Sequence, residues 1–147
     1  LPLVVLAPPA GRLTARVGPR LPMAIGLLLA AVGLVLLTRA GLHTGYAVLL
    51  PALLLWGVGI GFLTPSVVAA AMAAVPRARA GLASAVNNTS RQAGGAIGIA
   101  AFGAVAGSPA HPRDFVAGMH TAALIGATLY VLAAIASAAL IRDRTVV

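Results

Sequence analysis

The chain has 147 residues, of which 61% are hydrophobic and 8% charged, at a mean hydropathy of +1.04. Soluble domains carry about 25% charged residues, so this chain cannot cover a water-facing surface and its solvent is the lipid bilayer. The net charge of +8 comes from basic residues that are all Arg and lie scattered between apolar stretches with few aromatics, which excludes a nucleic-acid face, while the absence of Cys excludes disulfides and thiolate metal sites.

A spanning helix needs about 20 apolar residues. Residues 1–10, LPLVVLAPPA, supply half of one. They begin at Leu1, lack the basic start of a signal peptide, and read as the tail of a helix that starts upstream, so a C-terminal fragment is the expectation. The segment GRLTARVGPR follows as a loop with Arg12, Arg16 and Arg20. Residues 21–38 form a first full span, after which RAGLHTG carries only Arg39.

Residues 46–74 form a long span that contains Pro51, Trp56, the glycines Gly57, Gly59 and Gly61, and Pro65. Each proline removes a backbone donor, so a flexible or kinked helix is expected. WGVGIGFLTPS is not a nucleotide loop, because it lies inside an apolar run. Trp56 has the chemistry to stack on a lipophilic cation or to fill a helix interface. The loop VPRARAG then brings Arg77 and Arg79.

Two more spans are expected at 82–107 and 118–141, separated by a loop with Arg113 beside Asp114, and the tail carries Arg142 and Arg144. The count is four full spans and one partial one, an all-α integral membrane chain. Heavily and lightly charged loops alternate, and Arg is retained on the cytoplasmic side. That rule places loops 11–20 and 75–81 and the C-terminus in the cytoplasm.

The span at 82–107 holds the chemistry. Asn87, Asn88, Thr89, Ser90, Arg91 and Gln92 are consecutive, and residues four apart, such as Asn87 with Arg91 and Asn88 with Gln92, share a helix face. That face must look into protein or water. Arg91 is the charge within a predicted span, at a cost of about 3 kcal/mol or more at mid-bilayer. Two readings are open: it faces a functional cavity or an interdomain partner, or it snorkels toward the headgroups. On the same helix, Gly94, Gly98, Gly103 and Gly107 make small-xxx-small spacings suited to close, movable packing.

Catalysis is not indicated. His43, His111 and His120 are far apart in sequence, and Asp114 and Asp143 lie in a loop and the tail, so nucleophile, base and orienting group do not converge. No metal or cofactor is expected, and no carboxylate lies in a span to carry a coupling proton.

Three segments carry a resemblance. GRLTARVGPR, with Gly11, Arg12, Arg16, Gly18 and Arg20, is similar to the cytoplasmic loop motif of the major facilitator superfamily. WGVGIGFLTPS resembles the Gly-rich helix before the last cytoplasmic loop, and GLASAVNNTSRQAGGAIGIAAFG resembles the penultimate helix of that superfamily's fourteen-helix drug:proton antiporters. The resemblance implies the C-terminal helices of such a transporter, with the N-terminal half missing. It places 46–74 along a central cavity, 82–107 against the N-terminal domain, and 21–38 and 118–141 at the periphery. Ala15 stands where the family loop usually has Asp.

The expected function is secondary active, proton-coupled efflux of drugs or other small lipophilic molecules by alternating access, in the plasma (cytoplasmic) membrane. Asn87, Asn88, Arg91, Gln92 and Trp56 would line the substrate cavity or interdomain face. The lipid bilayer, a small-molecule substrate and the missing half are the expected partners. A dimeric four-helix exporter is disfavoured, because such proteins use an embedded Glu that this chain lacks. The alternative from another class is a non-transporting multi-span scaffold or assembly subunit.

Overall fold

A computed structural model describes residues 2–106 and 111–141. Gly107 and the tail with Arg142, Asp143 and Arg144 lie outside the described residues. The described chain is all-α: α1 (Pro2–Val17), α2 (Arg20–Leu37), α3 (Tyr46–Ala73), α4 (Ala80–Ala106) and α5 (Pro112–Leu140). Of these, α2, α3 and α5 are long and apolar enough to cross a membrane. Helix α4 is long enough at 27 residues, but its first half carries the polar block.

The sequence accounts for most helix ends. Gly18, at φ 85°, takes the left-handed conformation that stops α1, and Pro19 follows, where continuing the helix is blocked. The break falls later than the expected loop: α1 runs on to Val17, through seven of the ten residues read as loop. Pro76 is extended, with φ −60° and ψ 149°, and separates α3 from α4 through the single turn Arg77–Arg79. Helix α5 begins at Pro112, six residues before the expected span, because Pro is preorganised for a first helical position and Asp114 in the first turn complements the helix dipole. The helix α3 continues through Pro51 and Pro65.

Helix α2 packs on both α3 and α5, α1 packs on α3, and α4 packs on α5 with a smaller contact to α3. The α2/α3 seam is built from small residues. A Cβ placed on Gly26 would lie 2.7 Å from the Gly59 carbonyl oxygen and 2.9 Å from Leu63 N, and one on Gly33 would lie 2.6 Å from Trp56 N. Gly59 itself lies equally tightly against Ala30 and Gly26. The backbones therefore touch, which is how helices gain van der Waals contact where lipid offers no hydrophobic driving force. Residues 26 and 33 meet 59 and 56, so the two helices run antiparallel.

On the other side of α2, Ala30 and Ala31 are buried, as are Ala123, Ala127 and Ala134 of α5. Gly126 meets the Leu34 side chain, and His120 Nε2 is 2.6 Å from the Ala40 carbonyl oxygen. These pairings make α2 and α5 antiparallel as well. The helix expected at the periphery from the resemblance is, within this chain, the element that α3 and α5 share.

Candidate functional site

The polar block occupies the N-terminal half of α4. Asn87 is half-buried, and Asn88, Thr89, Ser90, Arg91 and Gln92 are exposed. Arg91 Nη2 donates to Asn88 Oδ1 at 2.9 Å. Three residues separate them, as expected for a side chain that leans toward the helix N-terminus. The guanidinium, with five donors, keeps most of them available for a ligand, water or another segment.

Beyond Asn87, this face is left open by the rest of the described chain. Ala106 is the buried residue of α4, where the last turn meets α5: a Cβ on Gly118 would collide with the backbone of Val105 and Ala106. The glycines expected to give close packing, Gly94, Gly98 and Gly103, are exposed and have open space where a Cβ would stand. Among the described residues nothing packs on them.

The structure does not gather all the expected site residues. Trp56 is 41% exposed and lies on the α2/α3 seam. At 1.5 Å per residue it stands about 25 Å along α3 from the α3–α4 turn, against about 17 Å for Arg91 along α4. The two sit at different depths. Gly57 is half-buried, Gly59 and Gly61 are buried, and Pro65 is half-buried; of these, Gly59 packs directly on α2.

In the loop motif, Arg12 and Arg16 are exposed on the last turns of α1 and Arg20 opens α2. Gly11 is half-buried with open space at its Cβ position. Ala15 is exposed and supplies no carboxylate to pair with these arginines. A buried link accompanies the motif. Thr14 Oγ1 lies 2.8 Å from the Ala10 carbonyl and 3.1 Å from Ser66 Oγ on α3, and Ser66 Oγ lies 2.8 Å from the Phe62 carbonyl; with one proton each, the two hydroxyls bond across the helices when one of them donates to the other in place of its own carbonyl. Neither hydroxyl was singled out in the sequence, although Ser66 lies one residue after Pro65 and Thr14 inside the motif.

Comparison with known proteins decides the family. The Major Facilitator Superfamily profile matches residues 1–146. The chain belongs to the Major Facilitator Superfamily. Among its relatives, the multidrug resistance protein Stp of Mycobacterium tuberculosis is 35% identical over 103 residues, which cover 70% of this chain and 19% of that protein. The puromycin resistance protein pur8 of Streptomyces alboniger is 43% identical over 94 residues, 62% of this chain and 19% of its own. A triacylglyceride transporter of Mycolicibacterium smegmatis is 39% identical over 104 residues, 64% of this chain and 19% of that protein. The chain thus spans about a fifth of the length of these relatives. No solved structure matches it. As a superfamily member with three long apolar helices, it is a multi-pass membrane chain of a transporter family.

Proposed function

We propose that this chain forms part of a secondary active exporter of small lipophilic molecules, coupled to protons, in which two helical bundles rock about a central site. The observation that carries the reading is α4: a helix with consecutive amides, hydroxyls and a guanidinium, bare of cover from its own bundle, in a chain of this superfamily. A charge at membrane depth persists where it faces protein or water. Asn87, Asn88, Arg91 and Gln92 would line the cavity or its interdomain wall, and the opposing wall would come from the remaining part of the transporter.

Support for the cargo class comes from the relatives, named for multidrug resistance, puromycin resistance and triacylglyceride transport; all are consistent with a largely apolar cavity holding a few polar anchors. The coupling carboxylate would lie outside this segment. The protein would sit in the cytoplasmic membrane with the arginine-bearing segments 11–20 and 75–81 and the C-terminus inside. The test is export of a fluorescent dye by the intact protein with Arg91→Ala, membrane expression being verified. A fall in export supports the reading, and unchanged export would leave Arg91 with no role beyond reaching the headgroups.

A further inference from the structure

Between α2 and α5 runs a groove of about 420 Å³, lined by Leu28, Val32, Val35 and Leu36 on one bank and Leu124 and Val131 on the other. Its floor is Ala31 and Ala127, both buried. The one polar lining residue, Thr128, donates its hydroxyl to the Leu124 carbonyl at 2.9 Å. The groove therefore offers methyl and methylene groups and no free donor. It follows the helix axes from Leu28 to Leu36, about 12 Å at 1.5 Å per residue, within two helices that both have the length and composition to cross a membrane.

Leu28, Val32 and Val35 form one stripe of α2 along the groove. Helix α2 ends at Leu37, and the turn that follows carries the exposed Arg39 three residues past Leu36, the last α2 residue of the groove. The turn holding it is built rather than loose. Arg39 N donates to the Leu36 carbonyl at 3.1 Å and Ala40 N to the Leu37 carbonyl at 3.0 Å. From the α5 bank, one turn beyond Leu124, His120 Nε2 reaches the Ala40 carbonyl. Other charge-bearing groups at this end of α2 and α5 are exposed: His43, His111, Arg113 and Asp114. The local balance is positive, so the apolar groove has a cationic mouth.

We propose that this groove is a binding site for one acyl chain of an anionic glycerophospholipid, with the lipid phosphate held by Arg39. The guanidinium suits a phosphate because its fork of donors matches two oxygens at once, and the groove gives the chain a concave contact that the convex faces of the bundle lack. The inference needs only that α2 and α5 cross the bilayer and does not rest on transport.

The intact protein is reconstituted into nanodiscs holding equal phosphatidylglycerol and phosphatidylcholine of the same acyl chains, then released and weighed by native mass spectrometry. Retained phosphatidylglycerol should exceed phosphatidylcholine by about fivefold, the factor expected for one Arg near an anionic headgroup, and Arg39→Gln should bring the two to parity. Filling the groove by Thr128→Trp, or by Val32→Trp if the first variant is not monodisperse, should reduce retention of both lipids, while Leu132→Trp outside the groove leaves it unchanged. Equal retention of the two lipids by the unaltered protein overturns the anionic assignment, as does preference that survives Arg39→Gln. Groove variants that retain lipid normally overturn the site, and so does a dimer that Thr128→Trp dissociates, since the groove would then be an interface between copies.

Discussion

At residue scale, the decisive positions are glycines whose missing Cβ lets helix backbones touch. Gly59 is the clearest, since a Cβ there would lie 2.5 Å from both Ala30 N and the Gly26 carbonyl oxygen. Ala would gain about 1 kcal/mol of helix propensity over Gly, but here it must push two backbones apart, at about 1 to 3 kcal/mol for overpacking. Gly59→Ala should therefore lower the thermal midpoint of the intact protein in detergent. Gly81→Ala, where the Cβ position is open, should leave it unchanged or raise it. The sequence pointed to Gly57, Gly59 and Gly61 but passed over their partners Gly26 and Gly33. Their signal was present as Gly26, Ala30 and Gly33, spaced four and three, facing Ala52, Trp56 and Gly59 at the same spacing. It was hidden because every neighbour is also apolar, so periodicity does not separate the packed face from the lipid face.

At the scale of elements, apolar run length is a strong signal, and the helices fall close to the expected stretches: α2 at Arg20–Leu37 differs from 21–38 by one residue at each end, and α3 at Tyr46–Ala73 differs from 46–74 by one residue at its C-terminal end. The departures come where a loop was inferred from charge. Arg12, Arg16 and Arg113 are compatible with helix, and α1 and α5 run through them; backbone breakers such as Gly18 and Pro112 set the ends instead. Helix α4 differs from its neighbours because its polar block was legible but its surroundings were not. Arg91 stands near its middle, and replacing Arg by Leu at a helix centre favours insertion by about 3 kcal/mol. Residues 80–106, placed alone in a host protein, should insert poorly as judged by glycosylation mapping, and Arg91→Leu should restore insertion. Efficient insertion of the unaltered segment would mean that Arg91 needs no protein or water partner.

For the whole molecule, the question is what α4 faces. Among the described residues, the chain's own bundle is held by the α2/α3 and α2/α5 seams and by the packing of α1 on α3, where Thr14 and Ser66 meet, none of which involves the polar block. A polar face that contributes nothing to its own bundle is costly in hydrocarbon, so the proposed reading requires it to meet a water-filled cavity or polar protein surface in the complete transporter. The sequence has no Cys, so a thiol introduced into this segment reports its own surroundings there. With any cysteines elsewhere in the intact protein removed, Asn88→Cys and Gln92→Cys should react in membranes with a membrane-impermeant maleimide. Leu132→Cys, exposed on α5 at a position where lipid is expected, should not. A transported substrate that occupies the cavity should slow labelling at position 88 or 92. Labelling of Leu132→Cys alone, or of none of the three, would remove the aqueous cavity from the proposal, because polar side chains sealed against protein or lipid would leave no route for a substrate past Arg91.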